Sequence, residues 1–211
     1  MGLYGKYVLP RLIDLAMRNQ ETARLRAAVI PQARGEVLEV GIGSGLNLPF
    51  YSEQVQRVYG VEPSLELQQM ARRKILSPSI EVAFLSQSAE EALPLPDASI
   101  DTVVITWTLC SIPDTSKALQ QMYRVLKKHG RLIFVEHGRA PDPSVARWQE
   151  RLTPLWKRMT GGCHLDRKVD DLLRAAGFRI TELTKSYLPG PRPMTYTYQG
   201  FAELDVPRPA L

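Results

Sequence analysis

The feature that most constrains the fold of this 211-residue chain is a glycine-rich turn that directly follows a short apolar run. Residues 36–40 read Glu-Val-Leu-Glu-Val, which is typical of a buried strand, and Gly41, Gly43 and Gly45 follow at alternate positions. Glycine lets a backbone turn sharply and come close to another group. The pattern therefore predicts a strand, a tight turn and a loop that approaches a ligand.

Short apolar runs alternate with amphipathic segments along the rest of the chain. Strands are predicted at 36–41, 57–62, 80–85, 101–106, 131–137, 178–187 and 194–203, and helices at 46–54, 64–76, 115–127 and 167–176. This alternation predicts an α/β fold of the Rossmann-like, doubly wound type, with about seven strands and helices on both faces. We expect a mostly parallel sheet in which the last strands return antiparallel at the edge.

The chain shows no internal repeat and no composition change that marks a domain boundary. We therefore expect a single domain over residues 1–211, made of four segments. They are an N-terminal helical arm or lid (1–34), a cofactor-binding core (36–137), an irregular acceptor-side insertion (140–167), and a C-terminal helix and strand pair (168–204).

The N-terminal arm has apolar residues at helical spacing, among them Leu12, Leu15, Ala16 and Val29. Such spacing predicts a helix packed on the core or a lid over a pocket. Basic residues lie between the apolar ones, and they leave a peripheral contact with a membrane surface as an alternative. The basic residues concerned are Lys6, Arg11, Arg18, Arg24 and Arg26.

Composition excludes several classes of protein. The chain is 44% hydrophobic and 23% charged, which is ordinary for a globular domain, and no apolar run approaches the roughly 20 residues that span a bilayer. The first residues lack the pattern of a secretory signal, so a cytoplasmic location is expected. Cys110 and Cys163 lack the spacing of a zinc motif; we interpret them as reduced thiols and expect no metal site.

The residues around the glycines discriminate between ligands. A dinucleotide fingerprint needs its third glycine at position 46, where this chain has Leu46. Instead, Glu39 precedes Gly41, Gly43 and Gly45, and this segment resembles motif I of the class I S-adenosylmethionine (SAM)-dependent methyltransferases. The resemblance implies that Glu39 and the glycine backbone bind the amino-acid half of SAM. After methyl transfer the cofactor leaves as S-adenosylhomocysteine.

Three later segments extend the resemblance. Glu62, with Pro63 beside it, ends the second strand, where a carboxylate can bind ribose hydroxyls. The segment 86–94 resembles the adenine-binding loop of the family, which implies that Ser88, Ala89 and Glu90 face the base. Thr106 and Trp107 end a strand at the carboxyl edge of the sheet and should line the cofactor.

The methyl acceptor must be inferred from outside this core, since a fold and its cofactor do not set the substrate. Residues 106–109 read Thr-Trp-Thr-Leu instead of the Asn/Asp-Pro-Pro-Tyr/Phe of amino-directed nucleic-acid methyltransferases, and the +5 net charge is scattered. Both observations disfavour nucleic acid. Residues 134–138 and 156–167 are similar to the methyltransferase-like thiol S-methyltransferases, although the N-terminus lacks the hydrophobic anchor of their animal members.

Three side chains are candidates for catalysis. His137, which ends a central strand, is the best-placed base for a thiol, and His164 and Asp166 are second choices. A structural role stays open for each: His137 can bond backbone at a strand end, and His164 and Asp166 can cap the next helix. Cys163 reads as a small buried residue in a tight turn.

The sequence therefore predicts a SAM-dependent methyltransferase that acts on a small apolar acceptor, a thiol in the first instance, by direct in-line transfer. A quinone or phenol methyltransferase and a phospholipid-amine methyltransferase are the enzymatic alternatives. A SAM-binding regulatory protein is the non-enzymatic one, and a nicotinamide oxidoreductase is weakened by Leu46. No obligate protein partner is evident from the sequence.

Overall fold

A computed structural model describes residues 8–75 and 80–205. The strands are β1 (Gly35–Val40), β2 (Val55–Val61), β3 (Glu81–Leu85), β4 (Ile100–Thr106), β5 (Leu126–His137), β6 (Phe178–Tyr187) and β7 (Tyr196–Leu204). The helices are α1 (Leu9–Ala16), α2 (Gln20–Val29), α3 (Leu65–Arg72), α4 (Thr115–Val125), α5 (Pro143–Met159), α6 (Val169–Ala175) and α7 (Arg192–Thr195).

The strands form a seven-stranded sheet in the order β3-β2-β1-β4-β5-β7-β6. Strands β1 to β5 run parallel, whereas β7 is antiparallel to both β5 and β6. The Rossmann-like fold and the mostly parallel sheet are thus confirmed, with the antiparallel strand one place in from the edge. The strand order reverses between β1 and β4, and the carboxyl ends of strands at such a switch point form the usual ligand-binding crevice.

Helices cover both faces of the sheet. Successive side chains of a strand point to opposite faces, and neighbouring residues of β1 belong to different apolar clusters. Leu38 packs in a cluster with residues of α4 and α6, and Val37 packs in a second cluster with Val29 of α2 and Ala71 of α3. The central strands are therefore buried on both sides, which is why their sequences read as continuous apolar runs.

The irregular structure expected over residues 140–167 is wrong, because α5 is a 17-residue helix. Its buried side chains, Val145, Ala146, Gln149 and Thr153, recur at helical spacing. The sequence pattern did not indicate this helix because Pro154 lies inside it, and a proline normally ends a helical pattern.

The helix expected over residues 46–54 is also wrong. Turns and a single 3-10 turn, Leu48–Phe50, occupy this segment before β2 begins at Val55. Its polar side chains are drawn into the interior, where Asn47 and Tyr51 donate hydrogen bonds to the buried carboxylate of Glu39. These bonds to Glu39 take the place of a regular helix. The periodicity of the sequence gives no indication of them.

The predicted helical arm consists of two helices, α1 and α2, and Lys6 lies outside the described residues. Helix α1 is oriented opposite to the expectation. Leu12 and Leu15 are 49% and 71% exposed, whereas Asp14 is buried. The inward direction of α1 is therefore set by a charged contact with the core rather than by its leucines.

Candidate active site

The glycine-rich loop between β1 and the 3-10 turn has a backbone that only glycine adopts readily. Gly41, Gly43 and Gly45 all have positive φ, at 72°, 55° and 77°. A side chain at Gly41 would collide with Thr108, and one at Gly45 would meet Ala71 at 3.0 Å. Gly43 differs, since the nearest atom to a Cβ there is 3.8 Å away. The loop is packed from beneath at its two ends and open at its centre, as a ligand cradle requires.

Glu39 anchors this loop from within the sheet. It is 1% exposed, and its two carboxylate oxygens accept hydrogen bonds from Asn47 Nδ2 and Tyr51 Oη, both at 2.8 Å. Burial raises the pKa of Glu39 to about 7 despite these bonds. The Nε of Arg26 donates to Asn47 Oδ1 at 3.0 Å and extends the network into the N-terminal arm. The sequence had indicated Glu39, but not its partners.

Helix α1 is tied to the outer side of the same loop through Asp14. Its carboxylate accepts hydrogen bonds from Ser44 Oγ and from Lys74 Nζ at 2.9 Å, and it pairs with Arg18 at 2.6 Å. Lys74 also donates to the carbonyl of Ser44 at 2.8 Å. The N-terminal arm therefore holds the glycine-rich loop in place. The sequence had allowed either a helix packed on the core or a lid over a pocket for this arm.

Glu62 lies at the carboxyl end of β2, beside the loop. It is 7% exposed, and its Oε1 accepts a hydrogen bond from the Ser64 backbone N–H at 2.9 Å. Burial raises its pKa, while bonds from the backbones of Ser64 and Gly43 oppose that shift. Pro63 is exposed. A carboxylate that is joined to the open glycine of the cradle is well placed to accept hydrogen bonds from a diol.

The predicted adenine segment folds back on itself after β3. Ser88 Oγ donates to Glu90 Oε2 at 2.9 Å, and Glu90 Oε1 accepts from the Asp114 backbone N–H at 2.6 Å. Ala89 is 7% exposed and packs in the apolar cluster that contains Leu38. The side chain of Glu90 thus joins the loop after β3 to the start of α4, and a base would meet this segment mainly through its backbone.

Trp107 follows β4 in a strained conformation, with a φ of 49° that non-glycine residues rarely adopt. Its backbone N–H donates to the Val135 carbonyl at 2.8 Å, and the Arg26 guanidinium lies 4.7 Å from its ring centroid. Thr106 Oγ1 accepts from Asn47 Nδ2 at 3.0 Å. Thr106 and Trp107 are therefore connected to the network of the glycine-rich loop, and strain of this kind concentrates at functional sites.

Glu136, one residue before His137, is a functional candidate that sequence reasoning passed over. It is fully buried, and its Oε1 accepts from the backbone N–H groups of Thr108 and Leu109 at 2.7 and 2.9 Å. Burial raises its pKa to about 7. Among the described residues its Oε2 has no hydrogen-bond partner. This carboxylate fixes the loop after β4, and it lies within residues 134–138, where the chain resembles the thiol S-methyltransferases.

Three side chains from separate parts of the chain meet at the carboxyl ends of β4 and β5. The Sγ of Cys163 lies 3.3 Å from His137 Nε2 and 3.6 Å from Cys110 Sγ. We call Cys110, His137 and Cys163 the sulfur–imidazole cluster. The hydrogen bond with Cys110 and the contact with His137 lower the pKa of Cys163 to about 4, while the pKa of Cys110 is raised.

His164 and Asp166 lie next to this cluster without joining it. His164 Nδ1 is 3.8 Å from Asp166 Oδ1, and both side chains are partly exposed. The alternative role of Asp166 as a helix cap is wrong, because α6 begins at Val169 with Lys168 in the cap position and no side-chain cap bond. Of the three predicted catalytic residues, His137 is the one that the structure places in hydrogen-bonding distance of a thiol.

Known proteins resemble this chain over much of its length. A family model described as a methyltransferase domain matches residues 38–134. Thiol S-methyltransferase TMT1B from Homo sapiens is 35% identical over 194 residues, which cover 86% of this chain and 78% of the relative. Phosphatidylethanolamine N-methyltransferase from Cereibacter sphaeroides is 39% identical over 119 residues, or 56% of this chain and 58% of the relative.

The extent of these matches varies. The chain spans only 61% of the length of TMT1B from Rattus norvegicus, to which it is 36% identical over 153 residues. Among solved structures, a SAM-dependent methyltransferase from Thermotoga maritima superposes with a TM-score of 0.62 at 23% identity. That match covers 97% of this chain and all of the other, and it supports the fold.

The residues present fit SAM. The centre of the glycine-rich loop is open at Gly43, the Glu62 carboxylate is buried beside it, and Trp107 is held in a strained conformation at the neighbouring strand end. Lys74, an ammonium that contacts the loop, is bound to Asp14 and to the Ser44 carbonyl. With the sheet order and the similarity to TMT1B, these features show that the chain belongs to the SAM-dependent methyltransferase family.

Proposed function

We propose that this protein transfers the methyl group of SAM to the sulfur of a small, apolar thiol. The observation that carries the proposal is the sulfur–imidazole cluster, which gathers two thiols and an imidazole at the carboxyl edge of the sheet. Thr108, two residues before Cys110, packs directly beneath Gly41 of the glycine-rich loop. The cluster and the cofactor cradle therefore share one wall of the site.

The extent of the sequence similarity supports a thiol over other acceptors. The family model ends at residue 134, before His137 and Cys163. The alignment with human TMT1B covers 86% of the chain and so includes both residues, whereas the alignment with the phosphatidylethanolamine enzyme covers 56% of the chain. Similarity outside the shared cofactor fold favours a shared acceptor class.

For this reaction the protein needs mainly to align the acceptor with SAM and to promote ionisation of the acceptor. Bound SAM supplies a methyl group on a sulfonium, which a thiolate attacks directly. A free thiol has a pKa of about 8.5 and is only a few per cent ionised at neutral pH, so the protein gains by promoting its deprotonation. We assign that task to the sulfur–imidazole cluster, with His164 and Asp166 as the nearest other candidates.

Positioning falls to the groups that fix the cradle. Asp14 and Ser44 hold the outer side of the glycine-rich loop, and Glu39 and Asn47 hold its inner side. Holding both reactants in one geometry replaces a bimolecular encounter and accounts for a large part of enzymatic rate enhancement. We propose that Glu62 binds the ribose and that the backbone of residues 88–90 meets the adenine.

An acceptor panel with methyl-labelled SAM tests the proposal. We expect the label on the sulfur of an alkyl thiol, with a much slower reaction of a catechol, a hydroquinone or phosphatidylethanolamine. Label on oxygen, carbon or nitrogen acceptors alone would replace the thiol with one of the other methyltransferase classes. Tight SAM binding without turnover on any acceptor would favour the regulatory alternative.

A further inference from the structure

We propose that the sulfur–imidazole cluster is a zinc site with three protein ligands and one open coordination position. The three donor atoms, Cys110 Sγ, His137 Nε2 and Cys163 Sγ, all lie within 4.8 Å of one another. Thiolate and imidazole are the ligands that Zn²⁺ prefers, and Cys₂His sets with a free fourth position occur in catalytic zinc sites.

Two of the three donor separations are close to those of a tetrahedral ion, and the third is within 4.8 Å. Zinc–sulfur bonds of about 2.3 Å and zinc–nitrogen bonds of about 2.0 Å put tetrahedral donors about 3.5–3.8 Å apart. The Sγ atoms of Cys110 and Cys163 are 3.6 Å apart, and Cys163 Sγ is 3.3 Å from His137 Nε2. Only small side-chain movements would bring the three donors around one ion.

The backbone holds the donors rigidly. The loops that carry the two cysteines are joined by the His164 backbone N–H, which donates to the Cys110 carbonyl at 2.8 Å. Arg167 donates to the carbonyls of Leu109 and Ile112 on either side of Cys110. His137 is the last residue of the central strand β5. Donors fixed on braced elements are characteristic of a preorganised metal site.

The fourth coordination position would allow the ion to bind a ligand from outside the protein. Among residues 8–75 and 80–205, no other cysteine, histidine or carboxylate joins the three donors, so an ion there would keep one position for an exogenous ligand. A thiol bound at that position would lose its proton to solvent, and the thiolate sulfur would bond to the methyl group as the sulfonium–methyl bond of SAM breaks and S-adenosylhomocysteine leaves. This last step rests on the proposed function, whereas zinc binding itself does not.

The cluster also departs from the expectation drawn from cysteine spacing. Local motifs place zinc ligands within a few residues of each other, but Cys110, His137 and Cys163 are far apart in sequence and are brought together by the strand order and the α5–α6 connection. A sequence pattern therefore gives no signal for such a site.

Metal analysis of the purified chain tests the proposal without an activity assay. The protein is prepared without chelator, with a phosphine reductant that offers no competing thiol, and its zinc is measured by mass spectrometry. We expect a single zinc ion per chain. After removal of the metal, titration with Co²⁺ should produce the strong visible absorption of a tetrahedral thiolate site, and an alkyl thiol should alter that spectrum.

Variants locate the ion. Cys110→Ser, Cys163→Ser and His137→Ala should each lose the zinc and the Co²⁺ spectrum, whereas His164→Ala, a histidine next to the cluster, should keep both. Far-ultraviolet circular dichroism establishes that each variant is folded. Wild-type protein that takes up neither Zn²⁺ nor Co²⁺ when reduced would overturn the proposal, and so would a Cys110–Cys163 disulfide in its place.

The two proposals fail in different ways. Thiol methylation that is unchanged after complete removal of the metal would overturn a catalytic role for zinc and leave the proposed function intact. Zinc bound by the three residues, with no thiol methylated, would retain the metal site and remove the proposed function.

Discussion

Asp14 shows how a single residue sets the position of the N-terminal arm. It is a buried acid on a helix whose Leu12 and Leu15 are exposed, and it is bound to Ser44, Lys74 and Arg18. Loss of one partner of a buried, charge-assisted hydrogen bond leaves the others unsatisfied. We therefore interpret this residue as the connection between α1 and the glycine-rich loop.

Replacing this acid should destabilise the protein in a pH-dependent way. We expect Asp14→Asn to lower the free energy of unfolding at pH 7 by about 1–3 kcal/mol, because charge-assisted bonds are lost. Burial alone would raise the pKa of Asp14, but its bonds to Ser44, Lys74 and Arg18 outweigh burial and lower it. The stabilisation is therefore complete above the unfolded pKa of about 3.9 and is lost as the pH falls through the lower, folded pKa.

Urea unfolding of both proteins between pH 7 and pH 3 measures this difference. The gap between wild type and Asp14→Asn should narrow at the acid end. Asp97→Asn is the control, since Asp97 has 77% of its side chain exposed and its pair with Arg124 should contribute less than about 1 kcal/mol. Equal stability of wild type and Asp14→Asn at pH 7 would contradict the interpretation.

Glu62 tests the cofactor half of the site. We expect Glu62→Gln to weaken the binding of S-adenosylhomocysteine by about 1–3 kcal/mol, because charged hydrogen bonds to the ribose would be replaced by weaker ones. Isothermal titration calorimetry gives the affinity directly. Glu53→Gln, an exposed glutamate near the start of β2, should bind like wild type. Unchanged affinity in Glu62→Gln would remove this residue from the site.

At the scale of elements, α5 leads into the connection that carries Cys163, and this helix has an internal proline. Pro154 removes a backbone donor, and its ring crowds the preceding turn, at a cost of up to about 3 kcal/mol in a helix interior. Pro154→Ala should therefore raise the free energy of unfolding by about 1–3 kcal/mol. Urea denaturation measures the change.

The same helix supplies a matched control. Pro143 is the first residue of α5, where the N–H has no helical partner and proline is tolerated. Pro143→Ala should therefore give no gain in stability. If both substitutions had the same effect, Pro154 would not lie inside a regular helix.

Helix α1 is the element that suggests a contact with a surface. Its outer face exposes Leu12, Ile13 and Leu15, with Arg11 exposed on the same helix, and the exposed Val8 and Arg18 flank the two ends of the helix. No helix in the described part of the chain is long and apolar enough to cross a membrane. We propose that α1 lies against an anionic bilayer, since an apolar face with basic neighbours is typical of peripheral attachment.

Cosedimentation with vesicles tests this contact. Wild type should bind vesicles that contain phosphatidylserine more than vesicles of phosphatidylcholine alone, and Leu12→Asp with Leu15→Asp should abolish the difference. Leu155→Asp changes a comparably exposed leucine on α5 and should bind like wild type. Equal binding of all three proteins would assign the apolar face of α1 another role.

At the scale of the whole molecule, the sequence predicted those features that depend on local patterns of residues. The sheet follows from the alternation of apolar runs with amphipathic segments, and the glycine-rich loop and the class of cofactor follow from Glu39, the three glycines and Leu46; the structure and the comparisons confirm them. Each strand and the loop are encoded within a few consecutive residues, so the sequence displays them directly.

The features that the sequence did not show depend on contacts between distant residues. Asn47 and Tyr51 do not form the predicted helix because they bind buried Glu39. Asp14 sets which side of α1 faces the core through its bonds to Ser44 and Lys74. The sulfur–imidazole cluster joins three separate segments in the same way. Helix α5 was missed for a different reason, since Pro154 interrupts its pattern.

The most direct test of the central claim joins the cradle to the chemistry. Methyl transfer from labelled SAM to one apolar alkyl thiol is measured for wild type and for Gly43→Asn, because asparagine tolerates a positive φ and its side chain would fill the open centre of the loop. We predict a labelled thioether, with one S-adenosylhomocysteine formed per thioether, for wild type and neither product for the folded variant. Wild type that forms no labelled thioether, or a variant that forms it equally well, would contradict a SAM-dependent thiol methyltransferase built on this loop.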